Sequence, residues 1–184
     1  MAVTTTTKTT YLYRLIGAAA LDPGVYEEVE ADESATTQAF VTVVLSSVAA
    51  GVGARGFGGD RMTTFVFVTV VSLMAWAAWA LVTLEVGIHL LPARDTRSNV
   101  GELLRTLGFA TAPGFLRLFG ALDGGTMSAF VISSVWMLAA MVIAVRQSLD
   151  YESTGRAIAV CAIGWVLALV IGVGLGLVFG PTLS

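Results

Sequence analysis

From Met62 to Leu91 the chain runs for thirty residues with one formally charged side chain, Glu85. Such a run constrains the fold more than any other feature, because a membrane-spanning helix needs only about 17–25 predominantly apolar residues. Thirty residues at about 1.5 Å rise exceed a hydrocarbon core about 30 Å thick, so this segment tilts or protrudes. Similar segments lie at 36–53, 126–145 and 157–179. The composition agrees: 56% of residues are hydrophobic and 12% are charged, against about a quarter charged in a soluble domain. The reading is an all-α, polytopic integral membrane protein, with a segment 1–34 preceding one transmembrane domain, 35–184. Six of the thirteen acids crowd between Asp22 and Glu33, so the net charge of -3 reflects one segment. No basic patch suits a nucleic acid. Cys161 is the only cysteine and lies in an apolar run, which gives neither a disulfide framework nor a thiolate metal site.

The N-terminal segment divides in two. Residues 1–10 are Thr-rich and are expected to be disordered. Tyr11 to Leu21 is too short to span, and its Tyr11, Tyr13 and Arg14 suit an amphipathic helix in the headgroup region. A helix packed in a soluble domain is the alternative. Asp22-Pro23 reads as an N-cap followed by proline at the first helical position. Gly24 to Ser34 is then expected to be wet, either helical or loose.

The stretch Asn99 to Leu122, NVGELLRTLGFATAPGFLRLFGAL, decides the topology. It is apolar, yet it carries Glu102, Arg105, Arg117 and Pro113. The run between its arginines is too short to cross, but arginine side chains can snorkel and extend the reach to 100–121. Lys and Arg favour cytoplasmic loops. If the stretch crosses, Lys8, Arg14, Arg94, Arg97, Arg105, Arg146 and Arg156 share the side of the N-terminus, against Arg55, Arg61 and Arg117 on the other. If it does not, the split falls from seven against three to six against four. Five spans fit better, with the N-terminus cytoplasmic and the C-terminus outside. A re-entrant helix is the alternative. Pro113 predicts a bend over Gly108 to Pro113, packed inside the bundle against the second and fourth spans, with Thr106 and Thr111 offering hydroxyls to freed carbonyls.

The acidic LDPGVYEEVEAD segment, the five apolar segments and the pattern GELLRTLGFATAPGFL, with Gly101, Gly108, Phe109 and Pro113, resemble the Yip domain family of Ypt/Rab-interacting membrane proteins, especially its prokaryotic branch. That resemblance implies a five-span fold with a cytosolic N-terminus, and no catalytic signature. The short N-terminus leaves little room for a GTPase-binding region. The Val/Ala/Gly-rich composition looks bacterial, which places the chain in an inner membrane and leaves the resemblance to supply a fold rather than a trafficking role.

Several residues could carry chemistry. Glu85 is ionisable inside a span, which is costly and so marks a functional candidate. Glu85 and His89 share a helix face, and Glu102 and Arg105 start the next span at similar depth. The expectation is an intramembrane polar cluster of Glu85, His89, Glu102 and Arg105, with a Glu85–Arg105 pair, and a proton or ion relay as the alternative. One histidine among scattered carboxylates lacks zinc spacing, no histidine pair is available for haem, and no Ser/His/Asp set shares a depth. No cofactor and no catalysis are expected. Gly51-x-Gly53-x-x-Gly56 matches the dinucleotide fingerprint by letter, but it ends a membrane helix rather than following a strand, and reads as a glycine turn. Gly172, Gly176 and Gly180 form a flat face for helix packing or a second subunit. Trp76 and Trp79 read as packing or lipid-facing aromatics. The function expected is a non-catalytic scaffold or accessory protein that associates with other membrane proteins, as a homo- or hetero-oligomer, or shapes the bilayer. The alternative is a small-solute or ion transporter using Glu85 and the Pro113 break.

Overall fold

The computed structural model describes residues 10–57, 60–87, 100–122, 124–151 and 153–179. Among them every regular element is helical. Two short helices, α1 (Tyr11–Ala19) and α2 (Pro23–Ala31), precede α3 (Ala35–Gly53) and α4 (Arg61–Glu85). Then come α5 (Val100–Phe109), a 3₁₀ segment (Ala112–Ala121), α6 (Thr126–Ser148) and α7 (Thr154–Phe179). Three of these, α3, α4 and α6, are long and apolar enough to cross a membrane. The fold therefore belongs to the helical membrane proteins.

Local chemistry sets the helix starts. The Asp22 side chain accepts from Gly24 N with Pro23 at N1, as the dipeptide predicts. Asp60 caps α4 by accepting from Thr63 N at 2.8 Å. α2 is not wet throughout. Val25, Tyr26 and Val29 are buried and join the core, and the Tyr26 hydroxyl donates to Ala18 O. The i, i+4 spacing of Val25 and Val29 gives the acidic helix one apolar face.

The central element is the segment from Val100 to Ala121. It runs alongside α3, in the same direction and over most of its length. Gly108 meets Ala39, Gly114 meets Ser46, and Gly120 meets Gly53. From Ala39 to Gly53 is about 21 Å at 1.5 Å rise. At the far end Thr126 Oγ1 donates to Gly120 O and α6 turns back. α6 returns to α2, where Gln147 Nε2 donates to Glu27. α7 then passes α4, with Gly164 beside Trp79 and Thr83.

The glycine reading needs correcting. Gly51 and Gly53 form no turn; they lie in the last turn of α3. A β-carbon on Gly53 would fall on the Arg117 carbonyl oxygen, 2.8 Å from its carbon, and one on Gly51 would lie 2.6 Å from Phe65 O. Bare backbone lets α3 approach both the 3₁₀ segment and α4. Gly172 and Gly176 fall within the α7 backbone; their surroundings, and Gly180, lie outside the described residues.

Candidate functional site: the bent segment and its two arginines

The predicted bend is present. α5 stops at Phe109 and the chain re-forms as a ten-residue 3₁₀ segment from Ala112, with Pro113 in its first turn. Proline cannot donate to the ladder, so carbonyls before it need other donors. Thr111 Oγ1 donates to Gly108 O at 2.7 Å, as expected, while Thr106 Oγ1 donates to Leu103 O, one turn too early. A third donor was not foreseen: Trp76 Nε1 reaches from α4 to Leu107 O at 3.4 Å. Phe109, Ala110, Thr111 and Ala112 are all buried. The bend packs chiefly between α3 and α6, the first and fourth apolar segments, rather than the second and fourth. The reason is steric: Gly108 and Gly114 admit Ala39, Ser46 and Met137 at close range.

Arg105, before the bend, is 6% exposed. Its Nε donates to Val29 O at 3.2 Å and its Nη2 to Glu30 O. These carbonyls belong to the last turn of α2, which lacks intrahelical donors and carries the negative end of the helix dipole. Arg105 thus caps α2 instead of hydrogen-bonding Glu85 across a hairpin. Glu85 lies exposed at the end of α4, Glu102 is half-buried on α5, and His89 lies outside the described residues. Of the expected polar cluster, Glu102 and Arg105 gather, but around Glu30.

A second arginine secures the same helix end. Arg14 on α1 is 4% exposed, bonds Glu28 Oε1 at 3.0 Å, pairs with Asp32, and donates to Gln38 Oε1. Hydrogen bonds from Ser34 and Arg14 hold the Asp32 carboxyl down to about 2. Together α1 and α2 form a cap clamped by one arginine from inside the cap and one from the central segment.

Glu30 behaves differently. Burial, reinforced by Asp150 and Glu102, pushes its carboxyl up to about 7, although Arg105 opposes the shift. A carboxyl whose folded value lies above its unfolded value binds more protons when folded, so stability falls as pH rises between the two. The cap should be held more firmly at pH 5 than at pH 8. Hydrogen exchange of the Tyr26–Ala31 amides, corrected for intrinsic rate, should show greater protection at the lower pH, and Glu30→Gln should abolish the difference.

Arg117 lies beyond the bend, in the 3₁₀ segment. It is half-buried and turned toward α6: Nε donates to Ser133 Oγ at 3.1 Å and Nη2 to Ser134 Oγ at 3.3 Å. Its Cζ lies 5.3 Å from the centre of the Phe130 ring. A cavity of about 410 Å³ between α4, α6 and α7 has Arg117 in its wall, along with Trp76, Trp79 and Trp165.

Comparison with protein-family models, with curated proteins and with solved structures finds no match.

Proposed function

We propose that this chain is a non-catalytic membrane scaffold or accessory protein, which associates with other membrane proteins or shapes the bilayer. One observation carries this reading: the Pro113 break, where a transporter would open a site, is packed solid against Ala39, Ser46 and Met137. Pro113 is buried within the 3₁₀ segment while Glu85 is exposed at the end of α4, and neither belongs to the wall of the cavity between α4, α6 and α7. The interior polar side chains at the cap and bend are engaged in holding helices together.

The same reading places five spans in the bilayer, with α7 and the bent segment joining the three evident ones. The geometry offers a reason why the shortest apolar stretch suffices. Ten 3₁₀ residues rise about 20 Å, where an α-helix would rise about 15 Å. The α1 face bearing Leu12, Tyr13 and Ile16, each more than half exposed, suits the headgroup region. A bacterial inner membrane, a cytoplasmic N-terminus, an external C-terminus and Yip-domain kinship complete the proposal, supported by the arginine distribution and the GELLRTLGFATAPGFL pattern.

The test pairs reconstitution with isolation. In planar bilayers the purified protein should add no ion or small-solute flux, and native mass spectrometry from its own membranes should find it in stoichiometric complexes. A flux that Glu85→Gln abolishes would replace this reading with transport.

A further inference from the structure

We propose that the cavity between α4, α6 and α7 binds a single-chain amphiphile with an oxyanion head, of the long-chain carboxylate type, the head seated on Arg117. This goes beyond the scaffold role and rests only on the placement of the bent segment in the bilayer proposed above.

The charge comes first. Arg117 is followed by the exposed Leu118 and Phe119 and shares the cavity wall with apolar side chains of α6 and α4. Its two hydrogen-bonding nitrogens meet neutral serine hydroxyls, and Nη1 makes no hydrogen bond among the described residues. The ion pairs of the described residues centre on Arg14, not on Arg117. A cation at membrane depth normally pairs or lines a cavity that serves function. Here the serines and the Phe130 ring orient the guanidinium without neutralising it, which leaves room for one anion. Guanidinium matches carboxylate or phosphate oxygens well.

The shape comes next. A volume of about 410 Å³ falls within the range of about 300–1,000 Å³ for small-molecule sites. Within that space a single acyl chain is the occupant assigned here. Away from Arg117 and Ser134 the wall is apolar and aromatic apart from Ser72, with Trp76, Trp79, Trp165, Leu138 and Met141. Val71 and Trp165 at the wall are 45% and 49% exposed, so the cavity opens sideways, toward the acyl phase. A membrane-dissolved acid could enter without crossing water. Its carboxylate would meet Arg117 and Ser134, and its chain would lie along the tryptophans.

Those tryptophans also report binding. A Trp136→Phe background leaves Trp76, Trp79 and Trp165, the three that line the cavity. In neutral-lipid nanodiscs, a chain-brominated fatty acid should quench their fluorescence saturably. The brominated alcohol of equal length should give only quenching that rises linearly with its mole fraction. Arg117→Gln should weaken the saturable phase at least ten-fold, and Arg117→Lys should retain part of it. Ala75→Phe, which fills the cavity with Arg117 intact, should remove it even if Arg117→Gln fails to fold. Equal quenching by acid and alcohol, or an unchanged saturable phase in folded Arg117→Gln or in Ala75→Phe, would overturn the proposal. A brominated phosphatidylglycerol that matches the fatty acid in saturation and in sensitivity to Arg117→Gln would overturn it too, by assigning the site to phospholipid.

Discussion

Arg105→Leu should release the α1–α2 cap from the bundle. The leucine keeps most of the side-chain volume but strips both donors from the last turn of α2. Each buried carbonyl left without a partner costs about 1–3 kcal/mol, so a loss of about 2–4 kcal/mol is expected after the relief of burying the charge. Arg14 holds the other side of the same helix end through Glu28 and Asp32. The single variant should therefore loosen the cap without unfolding α3 to α7. Limited proteolysis in detergent should cut between Leu21 and Ser34 while the rest of the bundle stays resistant. Arg105→Lys should recover only part of the protection, because an ammonium lacks the fork that serves two adjacent carbonyls. Resistance of Arg105→Leu equal to the parent would mean that Arg14 and the buried Val25, Tyr26 and Val29 hold the cap without Arg105.

The second large effect is steric. Gly53→Ala places a methyl group against backbone, the carbonyl of Arg117, which cannot rotate away as a side chain would. Overpacking a tight contact costs about 1–3 kcal/mol, occasionally more, and here α3 and the 3₁₀ segment must part for the methyl to fit. The expected result is a thermal midpoint in detergent lowered by several degrees. Gly155→Ala is the matched control. Its added carbon meets nothing closer than Ser153 Oγ at 3.4 Å, and it lies in the first turn of α7, so it should be neutral or slightly stabilising. Equal midpoints for the two variants would show that the close approach of α3 to the 3₁₀ segment contributes little.

What the sequence revealed, and what it hid, follows from the range of the interactions. Apolar runs free of charge announced α3, α4 and α6, because lipid imposes length and polarity residue by residue. The bend at Pro113 and the Asp22-Pro23 start were also legible, since proline acts within one turn of itself. Arg105 was recognised as important but given the wrong hydrogen-bonding partner. Its acceptors are main-chain carbonyls seventy-odd positions away, and every residue type carries a carbonyl. Trp76 was read as a packing aromatic for the same reason. Asp60 was missed although its signal was local, an aspartate three residues before a threonine at the mouth of an apolar run. Gly51 and Gly53 looked like a flexible turn because their letters cannot reveal that a second backbone lies against them. Arg117 bonds Ser133 and Ser134, two hydroxyls that an apolar helix does not advertise as partners for a distant arginine.

The claim on which the account turns is that the Val100–Ala121 segment passes through the bundle and the bilayer alongside α3. Single cysteines at Gly58 and Ser153, each in a Cys161→Ala background, test it with a membrane-impermeant maleimide on intact vesicles and after lysis. The account predicts labelling from opposite sides: Gly58 external and Ser153 cytoplasmic. Labelling of both from the same side would mean that the bent segment enters the membrane and leaves by the face it came from.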